Sequence, residues 1–449
     1  MMNYNQSNNY EVFMKKWMNE TPRDWNIQKI KNISNIFGRI GFRGYTVKDL
    51  VDEGEGAVTL GPPNIENQHL ILDKKNYLSW FKYNESPEIK IYNGDIVLVK
   101  TASVGKVALI ENLNEATTIN PQLVVFKKIK IFNKYFYYVL ISSIIQNQIK
   151  GNLNGGVIST LSQENISNYY LPIPPKNEQE QIAKYLDTKT TKIEQTITKN
   201  KQLITLLKEK RTSLINQTVT KGLNPDVPMK ESGIEWIREI PEHWKINKLK
   251  IHGSIMGGYS FKSNDFTKSG IKVIKITNIQ SMKFDWNEKF YLPQEYLIQY
   301  SEFKVKKNDI IFALTRPIIS TGIKVAIYDE NIPALLNQRT GIFKKNNKKL
   351  LTKFLFYIIY SDYFKESFKS KITTTNQPNI SPIDIGEIKI VFPSKDEQIR
   401  IVEYLNNKTQ IIDKTIEKVE KNIELLEEYK ESLIHHVVTG KIDVRGVEL

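Results

Sequence analysis

The stretch PPKNEQEQIAKYLDTKTTKIEQTITKNKQLITLLKEKRTSLINQTVT, from Pro174 to Thr220, returns as PSKDEQIRIVEYLNNKTQIIDKTIEKVEKNIELLEEYKESLIHHVVT from Pro393 to Thr439, without a gap and 219 residues later. Apolar residues recur at heptad spacing in both copies: Leu186, Ile193, Leu207 and Leu214, with Asn200 between them, then Leu405, Ile412, Val419, Leu426 and Leu433. Ile197 and Ile204, and then Ile416, Ile423 and Val437, fill the intervening positions. Alternating steps of three and four over about five heptads make a coiled-coil seam. Each copy predicts one helix of about 45 residues, roughly 65 Å long.

Charges on the seam choose an orientation. Arg211 and Lys430 are equivalent, and so are the acids Glu194 and Asp413. Parallel pairing in register would stack the two cations, whereas antiparallel pairing sets Arg211 beside Asp413 and Lys430 beside Glu194. The expectation is an antiparallel pair of helices with a globular part at each end of the rod. Such an arrangement suits a reader of two separated half-sites on a duplex.

The repeat reaches beyond the helices. Trp17 and PRDWNIQKIK recur as Trp236 and PEHWKINKLK, KYFYYVLIS from Lys134 as KFLFYIIYS from Lys353, and TLSQENI from Thr160 as NISPIDI from Asn379. In the middle the register slips, with Gly94 matching Asn308 and Asn120 matching Asn337. The chain is two copies of one unit whose interiors differ. The expected division is an N-terminal segment (1–16), a globular domain (17–173), a spacer helix (174–221), a linker (222–235), a second domain (236–392), a second spacer helix (393–441) and a tail (442–449).

Within each domain, short apolar runs bounded by turn residues predict strands at Ala57–Leu60, Ile96–Val99, Val107–Ile110 and Leu123–Phe126, with partners at Val273–Ile276, Ile310–Leu314, Val325–Tyr328 and Thr340–Phe343. One amphipathic helix follows each set, Lys134–Gln148 and Leu351–Lys369. The fold class is therefore α+β, with two mixed α/β domains and two long helices. Ser394 and Glu397 have the spacing of a capping box at the start of the second long helix, whereas the first starts on Pro175.

The 449 residues carry 64 Lys and Arg against 49 Asp and Glu, a net charge of +15 that suits a polyanion such as nucleic acid. With no cysteine, disulfides and thiolate metal sites are excluded. No apolar signal core opens the chain and no uncharged apolar run reaches about 18 residues, so a soluble cytoplasmic protein is expected.

Motifs for chemistry are missing. Gly105-Lys106-Val107 lacks the remainder of a phosphate-binding loop, and the five histidines form no ligand spacing. The acids Asp384 and Glu387 with Lys389 are a weak candidate for a Mg²⁺-dependent nuclease, and a surface strand is the better reading of them. No catalytic or metal-ligating residue is expected.

Candidate DNA contacts cluster on loops. GRIGFRGY carries Arg39 and Arg43, where glycine admits a phosphate and arginine forks onto guanine. The turn from Lys100 through Ser103 to Lys106 presents hydroxyls and cations, and its counterpart runs from Thr315 and Arg316 to Lys324. GGYSFKSNDF offers Tyr259, Lys262 and Asn264, and KITNIQ offers Lys275, Asn278 and Gln280. A solvated loop is the plain alternative for each.

SGIEWIREIPEHWKINKLK opening a domain, GDIVLVKTASVGKVA within one, and PxxEQxxIxxYL opening each long helix resemble the specificity subunit of type I restriction-modification systems. The resemblance runs from about Trp17 to Thr439. It implies two target-recognition domains, each reading half of a split DNA site, and two helices that set the gap and dock two methyltransferase subunits. Motor-nuclease subunits would complete the complex, and S-adenosylmethionine, ATP and Mg²⁺ would belong to those partners. The polar Asn200, where the second copy has Val419, departs from a uniform seam. Two other readings stay open: a self-contained nuclease dimerised by its coil, and a coiled-coil adaptor without DNA affinity.

Overall fold

The computed structural model describes residues 21–39, 41–152, 160–373 and 377–447. Trp17 and the N-terminal segment 1–16 lie outside the described residues. The chain divides into two compact units, Met1–Asn200 with Lys421–Leu449, and Lys201–Glu420. Each unit holds one domain, one end of its own long helix and one end of the other. The helices run Lys176–Lys221 and Lys395–Val438.

In the first unit, an antiparallel sheet has the order Asn35–Gly38, Leu123–Lys127, Ile96–Val99, Val107–Leu109. A second sheet has the order Thr117–Ile119, Gly56–Leu60, Tyr77–Ser79, Leu50–Val51, its first pair parallel. In the second unit, the first sheet's equivalents are Gly253–Gly257, Thr340–Lys345, Ile310–Ala313 and Val325–Ile327. The second sheet has the order Tyr291–Leu292, Ile271–Ile274, Ala334–Leu336, Lys304–Val305, its middle pair parallel and its last strand on the opposite side from Leu50–Val51 in the first unit. Strands expected from the sequence are present to within about two residues. Their unbroken apolar runs follow from burial on both faces. Ile96 and Leu98 enter the cluster shared with the helices, while Val97 and Val99 enter the cluster between the sheets. Ile310 and Phe312 divide from Ile311 and Ala313 in the same way.

Each domain closes on itself through a two-stranded ladder, Asn26–Lys29 with Tyr170–Ile173, and Lys245–Lys248 with Lys389–Phe392. The expected single amphipathic helix is in fact two in each unit: Asn133–Ile141 and Ser143–Asn152, then Thr352–Tyr360 and Asp362–Lys369. The break is at Ser142 and at Ser361, both extended at the helix end. Each buried hydroxyl donates to a carbonyl three residues back, Val139 at 2.7 Å and Ile358 at 2.6 Å. A side chain that bonds its own backbone in this way competes with the helical ladder.

The paired residues Glu and Gln at the start of each long helix join it to its domain. Trp25 Nε1 donates to Glu178 at 3.1 Å, and Trp244 Nε1 donates to Glu397 at 3.1 Å. Gln179 accepts from the Phe132 amide at 2.8 Å, and Gln398 accepts from the Leu351 amide at 2.8 Å. Tyr138 donates to Asp187 at 2.7 Å, and Tyr357 donates to Asn406 at 2.9 Å. The capping box of Ser394 and Glu397 is formed, with the Glu397 amide donating to the Ser394 hydroxyl at 3.3 Å and the Ser394 amide donating to Glu397 at 3.2 Å.

The helices run antiparallel within each unit. In the first, Glu194 faces Lys430 at 2.5 Å, and Glu178 at the start of one helix lies 3.9 Å from Arg445, seven residues past the end of the other. In the second, Arg211 pairs with Asp413 at 2.9 Å, although out of hydrogen-bond alignment, and Ile215 and Val219 share a cluster with Ile401 and Leu405. Both charge pairs are those expected from the sequence. Seam residues near the domains are buried (Leu186, Ile193, Ile197, Leu405, Ile412, Ile416 and Leu433), whereas Ile204, Leu207, Leu214, Val419, Ile423 and Leu426 are half-buried. Where only two helices meet, neither can enclose the other's seam. At the departure from uniformity, Asn200 has a buried Nδ2 with no partner among the described residues.

Two boundaries differ from expectation. Met229–Ile234, expected as linker, is a strand paired with Ile237–Pro241. The second spacer helix, expected to run to 441, ends at Val438, with Gly440 at φ +75° against Trp25 and Pro22, and in the segment expected as a tail Val444 is buried in the first unit.

Candidate nucleic-acid interface

Strand register brings one set of loops to one end of the sheets in each unit. In the first, Gly38 pairs with Val124 and Val99 with Leu123, so the chain leaving both strands, at Arg39 and at Lys100, emerges at the same edge. The parallel pair delivers Asn120 there too, because Ile119 lies beside Leu60. In the second, Gly257 pairs with Gly341 and Ala313 with Thr340, which places Tyr259, Thr315, Arg316 and Arg339 at the corresponding edge.

The two largest register slips of the repeat fall in these loops. The connection 39–55, which carries the short strand Leu50–Val51, is five residues longer in sequence than its counterpart 258–269, and residues 100–106 form a turn four residues shorter than 314–324. The loop boundary is itself shared: a Cβ on Gly56 would lie 2.1 Å from the Leu78 carbonyl, and one on Gly270 would lie 2.1 Å from that of Leu292. No side chain fits either approach. A duplicated scaffold thus carries unlike loops at one edge.

The candidate side chains divide into two groups. Several are turned inward, which corrects the expectation that they face a ligand. Arg39 is 4% exposed and donates to the Ile119 carbonyl at 3.2 Å, to Thr118 at 3.3 Å and to the Arg43 carbonyl at 3.3 Å. Burial pushes its guanidinium below its ordinary range, against Tyr45, Glu85 and Glu88. It ties the glycine-rich loop to the sheet. Lys106 Nζ reaches the Ile65 carbonyl at 3.2 Å, and Lys324 Nζ reaches that of Ile276 at 2.5 Å. Burial lowers the Lys324 ammonium. Asn278 is buried, accepts from the Lys275 amide at 3.0 Å and donates to the Asp285 and Glu288 carbonyls. Asn64 does the same in the first unit with Gly61, Ile71 and Lys74. Lys275 lies 3.5 Å from the centroid of the Phe290 ring, and burial lowers its ammonium. Thr315 is buried, and Gln280 donates to the Thr277 carbonyl at 3.2 Å.

The others remain available at the surface. Ser103, Lys262, Asn264 and Arg316 are exposed, and Lys100 is half-buried. Tyr259 is 38% exposed, with its ring against Tyr300 at 4.6 Å. Arg43 is paired with Glu88 at 3.2 Å. Arg316 adopts a left-handed φ of +46°, held by its amide on the Pro378 carbonyl at 2.7 Å. Gln122, Gln338 and Arg339 reach the same edge and were not singled out by the sequence. The signal available for them was the alignment of Asn120 with Asn337, which precede them.

The acids considered for a nuclease are occupied otherwise. Asp384 lies in the first turn of a short helix, Pro382–Gly386, not on a strand, and its amide donates to the capping Ser381. The hydrogen bonds from Lys248 and Lys250 hold the Glu387 carboxyl down at about 2. Among the described residues, no group of three His, Cys, Asp or Glu side chains is placed to hold a metal ion. No helix there is long and apolar enough to cross a membrane.

The family described as the type I restriction modification DNA specificity domain matches twice, over residues 22–205 and 241–427. The chain belongs to that family. Its two matches coincide with the two copies of the repeat. It is 32% identical over 431 residues to the type I restriction enzyme MjaVIII specificity subunit of Methanocaldococcus jannaschii, covering 95% of each chain. The EcoAI specificity subunit of Escherichia coli is 27% identical over 214 residues, 47% of this chain and 36% of that one. In fold it is similar to a chain from a type I R-M system studied for complex assembly and conformational transition, with a TM-score of 0.71, 14% identity and coverage of 94% and 99%. The HsdS subunit from Thermoanaerobacter tengcongensis aligns with a TM-score of 0.53 at 14% identity, covering 94% of this chain and 98% of that one.

Proposed function

We propose that this chain is the DNA-recognition subunit of a type I restriction-modification complex. One observation carries the reading furthest: a scaffold duplicated down to individual hydrogen bonds presents unlike loops at the same edge of each copy. Two domains of one fold with different reading loops suit a bipartite site with unequal halves. The recognition domains are residues 17–173 and 236–392. Exposed Arg316, Ser103, Lys262, Asn264 and Tyr259, together with half-buried Lys100 and with Arg43, serve as DNA contacts, while Arg39, Lys106, Lys275, Asn278, Gln280, Thr315 and Lys324, engaged within their own domains, shape the loops that carry them. A net charge of +15 supports phosphate binding.

The long helices set the gap between half-sites and dock two methyltransferase subunits on their exposed faces. Motor-nuclease subunits join in the full complex. Chemistry belongs to the partners: S-adenosylmethionine and adenine-N6 methylation to one, ATP, Mg²⁺ and cleavage to the other. The chain holds the duplex while an adenine is flipped out. Its place is the cytoplasm.

The test is long-read methylation sequencing of DNA from cells that co-express the chain with its methyltransferase partner. A split motif modified on both strands is expected. An unmodified genome, with the partner soluble and bound, would overturn the reading.

A further inference from the structure

Each unit carries the same small device at its loop edge. The chain leaves the parallel strand at an asparagine, makes a two-residue turn and enters the central strand of the neighbouring sheet. In the second unit the Asn337 amide donates to the Ile274 carbonyl at 3.0 Å, and the Asn337 side chain accepts from the Gln338 amide at 2.7 Å. The Arg339 carbonyl accepts from Leu314 at 2.8 Å. In the first unit Asn120 donates to the Leu60 carbonyl at 2.8 Å, accepts from the Gln122 amide at 2.9 Å, and Lys100 donates to the Gln122 carbonyl at 2.8 Å. The backbone at these positions is held from both sides.

What this rigid turn displays differs between the units. Gln338 and Arg339 are exposed, and Arg339 has a left-handed φ of +65°. No hydrogen bond or ion pair holds the Arg339 guanidinium among the described residues. At the equivalent place Gln122 accepts from Asn120 Nδ2 at 3.1 Å, which orients its amide and leaves Nε2 free to donate. A strained backbone that fixes an unpaired side chain at a surface is a feature of functional sites.

We propose that this asparagine-anchored turn is the base-reading element of each domain. Arg339 forks onto a guanine in the half-site of the second domain, and Gln122 pairs with an adenine in the half-site of the first. The donor geometry of each side chain selects the base: arginine matches O6 and N7 of guanine, and a side-chain amide matches N6 and N7 of adenine. The inference rests on the DNA-reading role above and deepens it.

The experiment selects duplexes from a randomised pool with the full chain bound to its methyltransferase partner, for wild type, Arg339→Ala, Arg339→Lys and Gln122→Ala. Thermal unfolding checks that each variant is folded. The wild type should enrich a split motif. Arg339→Ala and Arg339→Lys should each lose discrimination by roughly 10- to 100-fold at one G·C pair of one half-site, with the other half unchanged. Gln122→Ala should relax an A·T pair in the opposite half. Uniform weakening with both halves of the motif intact would overturn the proposal, as would loss of both halves together. A wild type that enriches no split motif would instead sink the underlying DNA-reading role.

Discussion

Trp25 and Glu178 meet through an indole hydrogen bond of 3.1 Å, 153 residues apart, and Trp244 and Glu397 repeat the contact at the same distance. Each bond joins the residue just before a ladder strand of the domain to the first turn of the long helix that follows it. Around it gather the glycine after the other long helix, Gly440 at Trp25 and Gly222 at Trp244. Three separate stretches of chain are thereby locked together in each unit.

Loss of this lock should be costly. Trp244 is fully buried, so Trp244→Phe opens a void and leaves the carboxylate short of a donor, at about 2–3 kcal/mol. Glu397→Gln keeps the shape but not the charge, at about 1 kcal/mol. Urea titration of each variant measures both, and the larger loss belongs to the tryptophan.

The same carboxylate predicts an acid limb. Burial pushes the Glu397 carboxyl up, but hydrogen bonds from His243, Trp244 and Ser394 outweigh it and hold the group at about 2, below its ordinary 4.5. A group depressed in the folded state stabilises fully above its unfolded pKa and ceases to as the pH falls through the folded one. Stability should therefore decline between about pH 4.5 and 2. In Glu397→Gln that decline should be shallower, read from melting temperature against pH.

Charge reversal tests the helix pairing. Glu194→Lys places a like charge against Lys430, and Lys430→Glu does the same from the other side. Each single change should cost a few tenths of a kcal/mol to about 1 kcal/mol, because the pair is partly exposed, and the double change should recover most of it. Additive losses in the double variant would mean that the two residues do not meet.

Much of the fold is legible because the repeat is a self-comparison. The heptads, the ion pairs of the seam and the strands buried on both faces each leave a pattern that one sequence can reveal. Ser142 and Ser361 do not, since the apolar stripe continues through them and only the buried hydroxyl ends the helix. The glycine-rich loop does lie at the loop edge of the sheets, but residue type did not tell which cation faces outward. Arg39 and Lys324 look like ligands in sequence and act as struts, because a long polar side chain can reach a backbone carbonyl as readily as a phosphate. Gln338 and Arg339 carry no composition signal. Their position follows from a parallel strand pair, which only the folded chain displays.

In the proposed function each domain reads its own half-site through loops on a common scaffold. The most direct measurement replaces residues 236–392 with a second copy of residues 17–173 and maps methylated sites in cells that also express the methyltransferase partner. The expected result is a symmetric split motif in which both halves are the first half-site of the natural chain, in opposite orientation. Retention of the natural asymmetric motif, or two halves unrelated to it, would contradict the claim.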